Sequence, residues 1–285
     1  MPNTSTFARR TRTLQRLAAA GTLATGLAGA AVAQTSPAAT SAAADGASPP
    51  AASPSSGSST QWGLGVFGGV FQQPYEGVSN KKRALPMLYV ENAWLRIAGP
   101  SADLKLGQWS TGYGAVELAA RLKYEGLGYE ASDSPVLAGM DERKESFWAG
   151  GAVAWSTPVA RLGLEWLGDV SSHSKGQQLQ LQLDRRFGFG RWAVTPRVQA
   201  QWLDKKYVDY YYGVKASEAV PGRAQYTGKA ATTLGLGVRV DYQLAARQSV
   251  FLDVSATSLP GEIKDSPLVG RSSVSRASIG YLYRF

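Results

Sequence analysis

The sequence predicts an all-β protein, a transmembrane antiparallel up-and-down β-barrel of about ten strands, with twelve as the alternative count. Three observations lead there. Apolar residues recur with period two in segment after segment from Trp62 to Phe285, while no stretch repeats at 3.6. The alternate positions hold Gly, Ser, Gln and sparse charges of both signs, where a soluble sandwich would carry many Lys and Glu. Trp62, Trp155, Trp192, Trp202, Tyr242, Tyr281 and Phe285 stand near segment ends on the apolar register, as in aromatic girdles. No window after residue 40 has the roughly 18 uninterrupted apolar residues that a spanning helix needs.

Residues 1–33 read as a signal peptide. Arg9, Arg10, Arg12 and Arg16 form a basic start, residues 17–32 an apolar stretch, and Ala31-Val32-Ala33 a small-residue cleavage site. Residues 34–60 are almost wholly Ala, Ser, Pro, Gly and Thr with one charge, Asp45, and are expected to be a disordered leader. Residues 61–285 are the barrel. Cleavage removes four Arg and no acidic residue, so the formal charge falls from +9 to +5 and a nucleic-acid partner loses its main support. With no Cys, the chain has no disulfide, thiolate metal site or Cys nucleophile.

The strands follow in order. Gly63, Gly65, Gly68 and Gly69 alternate with Leu64 and Val66 in a first strand, read as small lumen-facing residues; no Lys follows to make a phosphate loop. Strands are expected near 84–98 and 114–124, then over 147–155, 162–170, 178–184, 192–202, 234–242, 250–256 and 279–285. Residues 104–109 are the extra strand of the twelve-strand alternative. Counting back from a periplasmic C-terminus, connections near 244–247, 188–190 and 158–159 are short. Those near 259–271, 204–230 and 125–143 are long, and 172–175 is one short outer loop. On the polar register Arg121, Arg161, Glu165, Asp169, Asp184, Arg197, Arg239, Asp241 and Asp253 are candidate lumen charges that could pair across a narrow interior.

Chemistry-bearing groups are few. His173, the one histidine, lies among Ser171, Ser172 and Ser174 with Asp169 nearby, and consecutive loop residues rarely converge on a triad, so no catalytic residue is assigned. The acidic residues lack the offsets of a calcium loop, so no metal or cofactor is expected. Tyr207, Tyr210, Tyr211 and Tyr212 beside Lys205 and Lys206 are read as girdle or loop packing ahead of a sugar or lipopolysaccharide contact.

The terminal Ile279, Tyr281, Tyr283 and Phe285 on one face, with Arg284 between, resemble the strand signal read by the outer-membrane assembly machinery. Gly139-Met140-Asp141-Glu142-Arg143, Tyr211-Tyr212-Gly213-Val214 with Glu218-Ala219, Asp265-Ser266-Pro267-Leu268-Val269 and Tyr283-Arg284-Phe285 resemble the MipA/OmpV family of bacterial outer-membrane proteins over most of residues 62–285. The resemblance implies a non-enzymatic barrel in contact with outer-membrane lipid and lipopolysaccharide. It also implies a scaffold role towards a lytic transglycosylase and a peptidoglycan synthase; a narrow porin-like channel or a surface adhesin are the alternatives.

Overall fold

The computed structural model describes residues 60–285; the signal peptide and leader predicted before them lie outside the described residues. The strands are β1 (Gln61–Phe71), β2 (Lys81–Glu91), β3 (Leu95–Ala98), β4 (Ser101–Thr111), β5 (Gly114–Glu125), β6 (Ser146–Ser156) and β7 (Arg161–Asp169). They continue with β8 (Gln177–Asp184), β9 (Phe187–Phe189), β10 (Trp192–Leu203), β11 (Ala231–Ala245), β12 (Gln248–Ser258) and β13 (Ser273–Arg284). Every pairing is antiparallel, and β13 returns to pair with β1 from Gly63 opposite Arg284 to Phe71 opposite Arg276. The sheet therefore closes on itself and leaves no terminal edge.

β8 and β9 are one strand in two pieces. Asp184 faces Arg197 and Phe187 faces Val194 on β10, the same register on both sides of the interruption. Pro196 stands opposite the gap and has no N–H to donate, so only the Arg185 N–H to Pro196 O bond is made there and the ladder is interrupted while the strand continues. Counted this way the barrel has twelve strands. The expected ten is corrected at residues 84–113, where Asn92 Oδ1 accepts the N–H groups of Trp94 and Leu95, ends β2 in a tight turn and starts the β3–β4 hairpin.

The burial pattern is inside out. On β8, Leu179, Leu181 and Leu183 are exposed while Gln178, Gln180 and Gln182 are buried. On β11, Leu234, Leu236 and Val238 are exposed while Thr233, Arg239 and Asp241 are buried. An apolar band on this scale is stable only against lipid, with the polar side enclosed by the closed wall. Among the described residues no helix is long and apolar enough to cross a membrane; the strands do it. On β1, Gly63, Gly65 and Gly69 share the lumen register with Phe67 and Phe71, whereas Gly68 falls on the lipid side, which corrects its expected lumen position. A Cβ on Gly65 would sit 2.1 Å from Tyr281 O, so the close approach of β13 requires glycine there.

At one end the connections are two to four residues long, and at the other they span residues 72–80, 126–145, 204–230 and 259–272. The segment 170–176 is the short outer connection. Its Ser172 and Lys175 have φ of 60° and 53°, held by Asp169, whose carboxylate accepts the N–H groups of Ser171, Ser174 and Lys175.

Candidate functional site

Two constructions inside this wall are candidates for function: a braced lumen and a lid over its outer mouth. In the lumen Arg121 Nε and Nη2 donate to Asp103 at 2.7 Å each, and Nη1 donates to Glu165 at 2.6 Å. Lys123 Nζ donates to the other oxygen of Glu165 at 2.7 Å and lies 3.4 Å from Glu125, which accepts Gln178 Nε2. A second cluster joins Arg197 to Asp253 through two bonds of 2.7 and 2.8 Å, with Arg239 and Arg186 both donating to Asp241. Glycine on β11 makes room: a Cβ on Gly237 would sit 2.7 Å from the Arg197 guanidinium.

Of the charges singled out by sequence, Arg121, Glu165, Arg197, Arg239, Asp241 and Asp253 meet in these clusters. Asp184 accepts Gln182 Nε2 and stands opposite Arg161 in the β7–β8 ladder. Asp169 turns instead to the 170–176 turn, since three backbone N–H groups converge on it. Sequence reasoning missed Asp103, because 99–113 was unassigned, and Lys123 and Glu125, although both lie on the register of Arg121 and were open to the same reading. One gap among the described residues, near Arg121, Glu165, Gln180 and Gln182, is about 30 Å3, the order of a single water.

The outer mouth is closed by a packed cluster drawn from all four long loops. Asp204 caps helix α1 (Lys205–Tyr212) through its carboxylate on Tyr207 N, and the helix turns Tyr207, Val208, Tyr211 and Tyr212 inward. They pack with Tyr75 of the first loop, Leu137 and Met140 of the second, and Ile263 and Leu268 of the last, above Trp148 and Leu167 on the strand tops. The four tyrosines thus serve loop packing. The helix itself was not foreseen, since its eight residues are too few to show a periodicity.

Two arginines stitch the lid. Arg143 donates to both oxygens of Glu218 at 3.0 Å and to Tyr210 O at 2.7 Å. Arg223 donates to Val136 O, Ala138 O and Glu218 O. Burial raises the Glu218 carboxyl, but the N–H groups of Lys215 and Asp141 and the Arg143 guanidinium outweigh it and hold the group below the usual range. Burial pushes the Tyr129 hydroxyl up to about 12 against the opposing charge of Arg143, and raises Tyr75 and Tyr207 well above their ordinary value. Ser266 Oγ donates to Tyr212 O at 2.6 Å and Tyr75 OH to Tyr211 O at 3.2 Å. His173 Nδ1 lies 2.9 Å from Glu145 O and 3.3 Å from Ser146 Oγ, while Asp169 is committed to the turn.

Arg143, Glu218, Tyr211, Tyr212, Ser266 and Leu268 lie in three of the four segments that resemble one family in sequence, and the fold brings them together in the lid. The family model for MltA-interacting protein MipA matches residues 64–285, the whole of the closed barrel after its first strand positions. The chain belongs to the MipA family. The MltA-interacting protein of Escherichia coli (strain K12) is 27% identical over 227 residues, covering 78% of this chain and 89% of that one. The putative outer membrane protein YiaT of the same strain is 23% identical over 235 residues, covering 80% and 92%. Outer membrane protein OmpV of Vibrio cholerae is 23% identical over 154 residues, covering 54% and 60%. As a MipA-family barrel the protein resides in the outer membrane, and its relatives carry names of location or interaction.

Proposed function

We propose that this barrel is a non-enzymatic anchor that holds a lytic transglycosylase and peptidoglycan-synthesising complex at the inner face of the outer membrane. The observation that carries this is the obstruction of the axial path: paired charges bridge next-but-one strands along the lumen wall, and four loops with their tyrosines and arginines pack over the outer mouth. A conduit would keep an aqueous path open, whereas a braced and lidded barrel is a rigid support. The printed name of the Escherichia coli relative, an interaction with MltA, agrees with it.

The β4–β5 hairpin is the surface we assign to the partner. β3 begins at Leu95 opposite Leu104, so among the described residues positions 106–111 of β4 have only β5 as a strand neighbour. An open edge with exposed Trp109 and Tyr113 suits strand addition by a periplasmic protein. The test is binding of a purified soluble lytic transglycosylase to the barrel in nanodiscs. Wild type is expected to bind, and Trp109→Ala with Tyr113→Ala to weaken binding about tenfold, the order of one hot-spot residue. Absence of binding by wild type, or equal binding by the variant, contradicts the anchor or its surface respectively.

A further inference from the structure

The shortness of β3 leaves a break in the barrel wall. β2 pairs with β3 only at Tyr89, Val90 and Glu91, with one more backbone bond from Gly99 N to Leu88 O. The hairpin then turns at Gly99 and Pro100, where Tyr124 of β5 donates its N–H to Pro100 O. Among the described residues, positions 81–87 of β2 have β1 as their only strand neighbour. Leu88 turns its carbonyl to the β3 side, and residues two apart share a side, so residues 82, 84 and 86 turn their backbone groups to the break. Residue 86 is a proline, with no N–H to leave unpaired at an edge in hydrocarbon. At the outer end side chains span the break: Lys81 Nζ donates to Gly128 O at 2.8 Å, and Arg83 pairs with Glu145 at 3.1 Å.

The lumen beside this break is lined by apolar side chains, with the Arg239 guanidinium over one face of the Phe251 ring at 3.9 Å. Phe67, Phe71, Met87 and Phe251 form a buried cluster with Leu85 at its margin, and Phe251 lies so close over Gly280 that a Cβ there would be 2.4 Å from the ring. The ion pairs of Arg121 and Lys123 belong to the far wall. On the lipid side a trough floored by Gly68, Ala84 and Ala277 runs to the same strand, with Lys82 at its end.

We propose that the break is a side portal through which one acyl chain of an anionic outer-leaflet lipid enters the barrel and packs on Leu85, Met87 and Phe251. Bilayer lipid is the occupant because the wall around the break, Leu88, Leu104 and Leu122, faces lipid, and the lid closes the route along the axis. The headgroup is anionic because Lys82 stands exposed on the lipid side at the end of the trough, whereas Lys81 and Arg83 face the carboxylates of Asp133, Glu130 and Glu145. Charge and shape thus agree on one ligand. The portal goes beyond the anchor reading and does not depend on it.

The test places a photo-crosslinking benzophenone side chain at Phe251, Gln180 or Leu236 of the full chain, refolded in phosphatidylglycerol vesicles with labelled acyl chains. Folding of each is checked by its gel migration before heating. Leu236 faces lipid and sets the maximum yield, while Gln180 on the far lumen wall sets the background. Phe251 is expected to label lipid at least five times above Gln180, and Arg83→Ala with Glu145→Ala to raise that yield further. In phosphatidylcholine the Phe251 yield is expected to fall at least threefold. A Phe251 yield equal to that of Gln180 overturns the portal, and equal yields in the two lipids overturn the headgroup assignment.

Discussion

Glu165→Gln removes one charge from the lumen while keeping the shape of the side chain. Glu165 is 4% exposed and accepts Arg121 at 2.6 Å and Lys123 at 2.7 Å, so the substitution leaves two buried cations short of one counter-charge. Breaking a buried pair costs about 3–5 kcal/mol. Here Arg121 keeps two bonds to Asp103, and Lys123 keeps Glu125 at 3.4 Å, so the expected loss is lower, about 2–3 kcal/mol. The assay is urea unfolding of the refolded barrel in vesicles, followed by tryptophan fluorescence and by gel migration before heating. Lys123→Met beside Glu165→Gln completes a double-mutant cycle, with an expected coupling of about 1 kcal/mol or more. A loss under about 0.5 kcal/mol with no coupling would mean that water screens these charges, and the reasoning from a braced lumen fails.

The lid gives a prediction in pH. Its Glu218 carboxyl is held below the usual range, so its contribution is complete at neutral pH and is lost as pH falls through the lowered folded value. Amide hydrogen exchange in residues 204–230, corrected for the intrinsic rate, should therefore rise on acidification in wild type; Glu218→Gln should exchange fast at pH 7 and show little further change. Leu236→Arg, on the lipid face, should cost about 2–4 kcal/mol in the same unfolding assay, since a charge near the bilayer midplane has no solvent. Gly237→Arg on the neighbouring strand position should also fail, for a different reason: its Cβ would meet the Arg197 guanidinium at 2.7 Å. Deletion of Phe285 removes the backbone bond from its N–H to Trp62 O and the ring contact with Tyr283, and is expected to lower the amount of assembled barrel in cells, read by outer-membrane fractionation.

The strands were legible because period two combined with an inside-out composition has one physical solution. Leu179, Leu181 and Leu183 against Gln178, Gln180 and Gln182 announce a lipid face and a lumen face without any structure. The short connections and long loops were equally readable, since each interrupts that alternation. The count failed where the pattern is weakest: β3 has only four residues, and Trp94 and Leu95 blur the turn that Asn92 makes. Lumen charges could be named from their register, but not their partners, because Arg121 and Glu165 are 44 positions apart and meet only through β6 and β7. The lid was the least legible part. Its tyrosines were visible, yet Arg143 and Glu218 lie in separate loops whose meeting depends on tertiary packing alone.

Steady conductance of the refolded barrel in a planar bilayer tests the closed interior most directly. The account predicts correctly inserted protein, verified by gel migration, that passes no steady current, with current appearing in Arg143→Ala and Glu218→Ala once the lid is loosened. Ohmic channels in the wild-type protein, unchanged by those substitutions, would contradict it and return the barrel to the class of narrow pores.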